Sequence, residues 1–275
     1  MPTATGPNTA SVRTIAVTRA RACAALSRDT LRAMGARHEE RVERAFTQQA
    51  AAFEDPRFNR LFTTDSQWLF ERLPLSPDDL VLDVAAGTGH VARSLAPRVR
   101  AVVALDATAA MLEQGRAHGV RNVVFMRGDA AALPFVDGSF DVVVSRFAVH
   151  HFENPEVQVA EMRRCGGRLA VADLVADPVA ADTQNRLERL RDPSHVRLLT
   201  VDELAALVRT EDVEVRGVVR PLEPWLAQTE TPDDAARTIR QALELELEGG
   251  EPTGFQPRHH DGELHFVHAM ASLIG

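Results

Sequence analysis

The sequence predicts an α/β protein built on a doubly wound, mostly parallel sheet of seven strands. One observation is the stretch 79–92, where an apolar run enters a glycine pair, Gly87 and Gly89, and leaves in a helical pattern. This order is typical of a buried strand, a tight turn and the start of a helix. The other observation is that short apolar strands alternate with helical patterns further on, which indicates parallel strands joined by right-handed crossovers.

The part of the chain before this stretch has a different character. Residues 1–10 are small and polar and predict a mobile tail, whereas 11–72 predict an N-terminal helical extension and lid in front of a core at 73–275. Segment 45–62 contains four phenylalanines and two glutamines. Such a segment suits either a lid that closes over a ligand or a helix that is packed on the core by its aromatic rings.

The remaining elements follow from apolar periodicity and capping residues. Strands are predicted at 100–106, 122–126, 140–145, 168–173, 213–218 and 263–270. Helical patterns lie at 109–118, 182–190 and 233–247, and Thr200 with Glu203 forms a capping box for a further helix. We expect helical cap insertions at about 176–200 and 221–258.

Composition excludes several classes of protein. The 275-residue chain has a net charge of −8 and a pI near 5.7, which argues against a nucleic-acid partner. It has no lysine and no tyrosine, so Schiff-base enzymes, Walker-loop proteins and tyrosine–lysine dehydrogenases are excluded. Cys23 and Cys165 have no Cys-x-x-Cys companion. We therefore expect a soluble cytoplasmic protein with no disulfide framework and no membrane insertion.

Three carboxylates stand at the ends of three successive predicted strands: Asp83, Asp106 and Asp129. Strand ends of a doubly wound sheet share one crevice, where ligands bind. Asp106 lies 19 positions after Gly87, about the spacing at which an acid binds ribose hydroxyls. Asp83 precedes the glycines by four positions and favours a cationic amino-acid group over a pyrophosphate. We also expect the two glycines to clear space for a ligand that a Cβ would obstruct.

These residues resemble the class I S-adenosylmethionine-dependent methyltransferases, in particular the ubiquinone/menaquinone-biosynthesis-like (type 11) branch. The resemblance is carried by 81–89, 104–112, 128–135, 140–152 and 166–169. It implies a Rossmann-like methyltransferase fold, S-adenosyl-L-methionine as the cofactor, and a small-molecule acceptor. The arginine-only, alanine-rich composition favours a bacterial source, and we keep a homodimer as a possible assembly.

The resemblance also implies roles for individual residues. Asp83 and the backbone of Ala85, Gly87 and Gly89 would hold the methionine end of the cofactor. Asp106 would bind the ribose, Ala107 and Met111 would border the adenine, Asp129 and the Ala130 amide would contact its edge, and Ser145 and Arg146 would lie beneath the sulfonium. Asp106 and Asp129 could instead only cap turns.

Two features depart from the family pattern. Segment 162–167 is short by roughly three or four residues, so the helix there is clipped or the turn is rebuilt. The resemblance also leaves the extension before His38 unexplained. We expect the shortened segment to lie on the face away from the cofactor, so that it affects packing more than cofactor binding.

Methyl transfer to a hydroxyl or an enolisable carbon requires a base, and His150 and His151 are the candidates after the fourth strand. His195 could line the acceptor site. One histidine of the first pair could instead pack or cap a helix, and a turn capped by Asp192 and Ser194 explains the segment around His195 equally well. Trp68, Trp225 and Phe255 suit acceptor walls or ordinary core, and the adjacent His259 and His260 do not suggest a metal site.

Two functions remain open from the sequence. The first is transfer of a methyl group to an O or C atom of a quinone-like or specialised-metabolite acceptor. The second is a methyltransferase-fold protein that binds the cofactor without methylating, as a cyclisation catalyst or a regulatory binding subunit.

Overall fold

The computed structural model describes residues 32–55 and 67–275. The predicted mobile tail at 1–10, the first part of the predicted extension up to residue 31, and residues 56–66 of the predicted lid lie outside the described residues. The strands are β1 (Leu80–Val84), β2 (Ala101–Asp106), β3 (Val123–Arg127), β4 (Phe140–Arg146), β5 (Gly166–Leu174), β6 (Asp212–Pro221), β7 (Arg258–His260) and β8 (Glu263–Ile274).

Helices cover the faces and ends of the sheet. They are α1 (Arg32–Glu54), α2 (His90–Leu95), α3 (Ala109–Ala117), α4 (Pro155–Cys165), α5 (Ala181–Arg191), α6 (Val201–Val208), α7 (Leu222–Gln228) and α8 (Asp233–Leu247), with short 3-10 turns at Gln67–Phe70, Ala96–Arg98 and Val149–His151. The predicted capping box of α6 is present, because Thr200 and Glu203 each bind the other's backbone N–H.

The sheet has the order β3-β2-β1-β4-β5-β8-β6, and β7 pairs with β8. Strands β1 to β5 are parallel, whereas β8 runs antiparallel between β5 and β6. This order confirms the predicted doubly wound, mostly parallel sheet. The eighth strand, β7, was not predicted, because three exposed residues in a hairpin leave no hydrophobic period to detect.

The central strands are buried on both faces. Every residue of β1 is buried, with Leu82 and Val84 in the core on one side and Val81 in the core on the other. This burial explains why the strand reads as a continuous apolar run. A third core, below α7 and α8, contains Trp225 and Phe255, and Trp68 lies in the second core, so the structure places all three aromatic residues in packed cores.

The shortened segment has a simple structure. Helix α4 ends at Cys165 and β5 begins at Gly166 without an intervening loop. The strand can start there because Gly166 has no side chain. A Cβ at this position would come within 2.4 Å of Cγ2 of Val143 on β4. Gly166 pairs with Phe140, the first residue of β4, so this junction lies at the edge of the sheet opposite the carboxyl ends of the strands.

Within the described ranges, none of the helices has the length and apolar character needed to cross a lipid bilayer.

Candidate functional site

The turn after β1 has an unusual backbone. Ala85, Gly87 and Gly89 all have positive φ, of 55°, 55° and 81°. A Cβ on Gly87 would meet nothing within 4 Å, whereas a Cβ on Gly89 would lie 2.6 Å from the ring of Phe125. Gly87 is therefore required by its left-handed conformation, and Gly89 by close packing of the turn on β3. That both glycines also clear space for a ligand stays a prediction.

Asp83 is a buried carboxylate near the carboxyl end of the central strand β1. Its side chain accepts a hydrogen bond of 3.0 Å from the backbone N–H of Ala92, in the first turn of α2. Burial raises the pKa of Asp83 to about 7, and the nearby charge of Arg146 only partly offsets that rise. Burial also lowers the pKa of Arg146 to about 10. The two side chains thus form an oppositely charged pair next to the glycine turn.

Asp106 joins β2 to the same turn. Its Oδ2 accepts from the N–H of Gly87 at 2.7 Å and its Oδ1 from the N–H of Thr108 at 2.8 Å. Burial raises the pKa of this carboxyl group. Hydrogen bonds from Thr108, Gly87 and Ala107 lower this pKa and only partly offset the effect of burial. Nearby, Ala107 is exposed and Met111 is 1% exposed.

The other predicted cofactor residues lie around this centre. Asp129 is exposed and accepts from the N–H of Ala131 at 2.7 Å, and Ala130 is partly buried. Ser145 is fully buried, and its hydroxyl donates to the carbonyl oxygen of Val84 at 2.9 Å. Ser145 therefore links β4 to β1 by a side-chain hydrogen bond near the carboxyl ends of both strands.

Three histidines that lie on two different segments of the sequence form one cluster. The ring centroids of His150 and His151 are 4.2 Å apart, those of His150 and His195 are 5.6 Å apart, and those of His151 and His195 are 6.4 Å apart. In the described part of the chain, no three histidine, cysteine or carboxylate side chains gather into a metal-binding arrangement.

His150 is paired with a carboxylate. Its Nδ1 lies 2.5 Å from Oδ1 of Asp173, at the end of β5, and its backbone N–H donates to Oδ2 of the same side chain at 3.0 Å. Burial by itself would lower the pKa of His150, but the negative charge and hydrogen bond of Asp173 outweigh burial and raise it. Phe147, directly after β4, has a positive φ of 54°.

His151 and His195 are held in the neutral state. Nδ1 of His151 lies 3.1 Å from the carbonyl oxygen of Ser194, and burial followed by the charge of His150 lowers its pKa to about 4. Nε2 of His195 lies 2.9 Å from Oδ1 of Asn185, and burial lowers its pKa to about 3. The cluster therefore combines one histidine whose pKa is raised with two that stay uncharged at neutral pH.

Helix α5 carries a polar face behind this cluster. Asn185, Glu188 and Asp192 follow one another at helical spacing and are all buried. Asn185 binds His195, and Asp192 accepts from the hydroxyl of Ser194 at 2.5 Å. Glu188 lies 3.1 Å from Nε2 of His268 on β8. Sequence reasoning missed Asn185 and Glu188, although polar residues on one face of a helix next to a core were a detectable signal. It did propose Asp192 and Ser194 as caps of a turn, and the N–H and the hydroxyl of Ser194 both donate to Oδ1 of Asp192.

Helix α1 crosses both halves of the site. The ring of Phe46 meets that of His151 edge-on, with centroids 5.0 Å apart. Near its end, Glu54 pairs with Arg93 at 3.0 Å and with His118 at 3.0 Å. Through these contacts α1 joins the histidine cluster to the elements that follow the glycine turn.

Comparison with known proteins agrees with this geometry. A family model described as a methyltransferase domain matches residues 82–171. The uncharacterized methyltransferase YcgJ of Bacillus subtilis is 36% identical over 173 residues, which cover 58% of this chain and 68% of that protein. The demethylmenaquinone methyltransferase of Renibacterium salmoninarum is 43% identical over 100 residues, covering 35% of this chain and 42% of that protein. A crystal structure of a putative methyltransferase from Bacillus halodurans superposes with a TM-score of 0.69 at 28% identity, covering 77% of this chain and 97% of that chain.

Proposed function

The chain belongs to the S-adenosylmethionine-dependent methyltransferases, and from this premise we propose that it methylates an oxygen or carbon atom of a small molecule bound at the histidine cluster. The observation that carries the proposal is the pair of His150 and Asp173, a buried base and its carboxylate, at the carboxyl end of the strands that bear Asp83 and Asp106. A quinone-like compound or a specialised metabolite suits this site.

The residues at the sheet edge fit the cofactor chemically. The N–H of Gly87, a residue with positive φ, donates to Asp106, whose carboxylate suits the ribose hydroxyls. Asp83, whose pKa burial raises to about 7, offers a carboxyl group that the positive charge of the amino-acid end would ionise, and Asp129 lies at the end of β3 for the adenine. When bound, S-adenosylmethionine supplies an electrophilic methyl group.

His150 is the residue best suited to remove the proton of the acceptor. Asp173 holds Nδ1, so that Nε2 is the nitrogen that can take a proton from an acceptor O–H or acidic C–H group. A base works best when its pKa is near the operating pH, and Asp173 raises that of His150. His151 and His195, with pKa values of about 4 and 3, are too weak for this step and orient the acceptor instead.

Helix α1 acts as the lid of this site in our proposal. It touches the acceptor side through Phe46 and the cofactor side through Glu54. A closed lid excludes water and strengthens the electrostatic interactions inside.

The proposal is tested in two steps. Calorimetry measures whether the purified chain binds S-adenosylmethionine, and mass spectrometry then follows formation of S-adenosylhomocysteine and of a product heavier by one methyl group with a panel of phenolic and quinol compounds and cell metabolites. We expect tight binding and acceptor-dependent turnover. Binding without turnover on any acceptor would instead support a cyclisation or regulatory role.

A further inference from the structure

The orientation of the Asn185 side chain is fixed by backbone groups alone. Its Oδ1 accepts the N–H of Leu198 at 2.6 Å, and its Nδ2 donates to the carbonyl oxygens of Ala181 at 2.9 Å and Leu198 at 3.2 Å. A backbone N–H can only donate and a carbonyl can only accept. The amide therefore cannot be flipped, and the atom that faces His195 is an oxygen.

This orientation determines the tautomer of His195. Nε2 lies 2.9 Å from Oδ1 of Asn185, so it must carry the proton and donate. The other ring nitrogen, Nδ1, then has a lone pair and no proton. Among the described residues, Nδ1 has no hydrogen-bond partner.

The surroundings keep His195 in this form. The residue is 5% exposed, and burial is the largest factor that lowers its pKa to about 3. The negative charge of Glu188 opposes this fall, while His150, His151 and Arg191 reinforce it. At neutral pH the ring therefore presents a hydrogen-bond acceptor and never a second donor.

We infer that the methyl acceptor carries an O–H or N–H group that donates a hydrogen bond to Nδ1 of His195. This inference rests on the proposed function and narrows its substrate class. Among quinone-like and other acceptors, the hydroxylated aromatic, quinol or enolic forms fit, whereas oxidised quinones, ketones and ethers leave Nδ1 unpaired. The ring of His150 lies 5.6 Å away, so a second polar atom of the same molecule reaches the base.

Discrimination follows from the cost of leaving a buried polar atom unpaired. Before the ligand binds, water can donate a hydrogen bond to Nδ1. A ligand without a donor displaces that water and does not replace the hydrogen bond. A site of this kind disfavours the analogue that lacks the hydrogen-bonding group by about tenfold or more.

The first test compares phenol with anisole, which differ by one methyl group that removes the donor. Both are titrated into the chain saturated with S-adenosylhomocysteine, and binding is followed by nitrogen-15 NMR of labelled histidines. We expect phenol to bind at least about tenfold more tightly and to shift the Nδ1 signal of His195. His195→Phe, which keeps a ring and removes Nδ1, should abolish the preference for phenol.

The second test needs no variant and no added ligand. Nitrogen-15 spectra of the wild-type chain between pH 5 and 8 should show His195 as a neutral ring protonated at Nε2 throughout. A proton on Nδ1, titration near neutrality, equal affinity for phenol and anisole, or no binding of phenol when S-adenosylhomocysteine binds would each overturn the inference and leave the proposed function standing. Failure to bind the cofactor at all would count against the proposed function itself.

Discussion

At the scale of single residues, the basicity of the site depends on Asp173. Because the negative charge of this residue raises the pKa of His150 against the effect of burial, Asp173→Asn should lower that pKa. We expect the acid limb of the rate–pH profile to move to lower pH and the maximal rate to fall by about 10²-fold or more, since the weakened base removes a proton less well. Single-turnover rates and NMR titration of His150 measure both effects. Cofactor affinity serves as the control, and a profile that does not move would exclude His150 as the base.

Cofactor binding depends on a different carboxylate. Asp106→Ala should weaken the binding of S-adenosylmethionine by more than about tenfold, because it removes the proposed ribose contact and the partner of the Gly87 N–H. Asp234→Ala is the matched control, since that residue is exposed in the first turn of α8 and has no role in the proposed cofactor site. Calorimetry compares the two variants. Equal affinities of the Asp106 variant and the wild type would refute the assignment.

Residues that carry a family motif were found from the sequence, and residues that support them were not. His150, His151 and His195 could be proposed because each follows a recognisable segment, and the structure brings them within 6.4 Å of one another by ring centroid. Asp173 lies 23 positions from His150, and Asn185 lies 10 positions from His195. No local pattern encodes such pairs, because they form only when β4, β5 and α5 pack together.

At the scale of secondary-structure elements, the direct junction between α4 and β5 depends on Gly166. A Cβ at this position would clash with the β-branched side chain of Val143, which is buried in the sheet. Gly166→Ala should lower the free energy of unfolding by about 1–3 kcal/mol through this overpacking. Gly167→Ala is the matched control, because its Cβ would make an ordinary contact of 3.5 Å with the carbonyl oxygen of Asp141. Urea denaturation compares the two variants. Equal losses in the free energy of unfolding would show that the structure moves enough to relieve the clash.

The docking of α1 depends on Glu54. Burial acts to raise the pKa of this carboxyl group, but hydrogen bonding and the charges of His90 and Arg93 lower it overall. Glu54→Gln should loosen the end of the helix and raise the dissociation rate of the cofactor several-fold, by analogy with other lids that control release. Stopped-flow displacement measures this rate. The control is Glu43→Gln, whose pair with Arg127 is exposed and contributes little; an unchanged rate in the Glu54 variant would argue against a lid.

Apolar strands and capped helices were the elements that the sequence predicted well. The helix Asp233–Leu247 and the core strands appear where periodicity placed them, because burial of one face imposes that period. The last strand runs to Ile274, four residues beyond the prediction, since pairing with both β5 and β6 continues there. Long-range pairing of this kind is invisible in a local window.

At the scale of the whole molecule, buried histidines make stability depend on pH. Burial lowers the pKa values of His151, His195 and His268 from 6.5 to about 4, 3 and 4. As the pH falls from about 6.5 towards 5, the unfolded chain binds protons on these rings that the folded chain does not bind. Asp83 acts in the opposite direction, because burial raises its pKa from 3.8 to about 7 and the folded chain takes up that proton first. His150 and Asp106, whose pKa values are also raised, act in the same direction as Asp83, whereas the lowered pKa of His90 adds to the three histidines. The four histidines with lowered pKa values outweigh the three groups with raised ones, so the folded state loses stability in this window.

The size of this pH effect is limited by how many more protons the unfolded chain binds than the folded chain. Each contributes at most about 1.4 kcal/mol per pH unit to the slope of the unfolding free energy. Urea denaturation at several pH values between 5 and 7.5 should therefore show a fall on acidification. His268→Gln removes one of the three imidazole rings, and the slope of the unfolding free energy against pH should fall by about one proton. The variant should still fold, because glutamine can donate a hydrogen bond to Glu188 in place of His268. A stability that stays constant or rises on acidification would mean that the histidines are protonated in the folded protein, and that the cluster is more open to water than its burial implies.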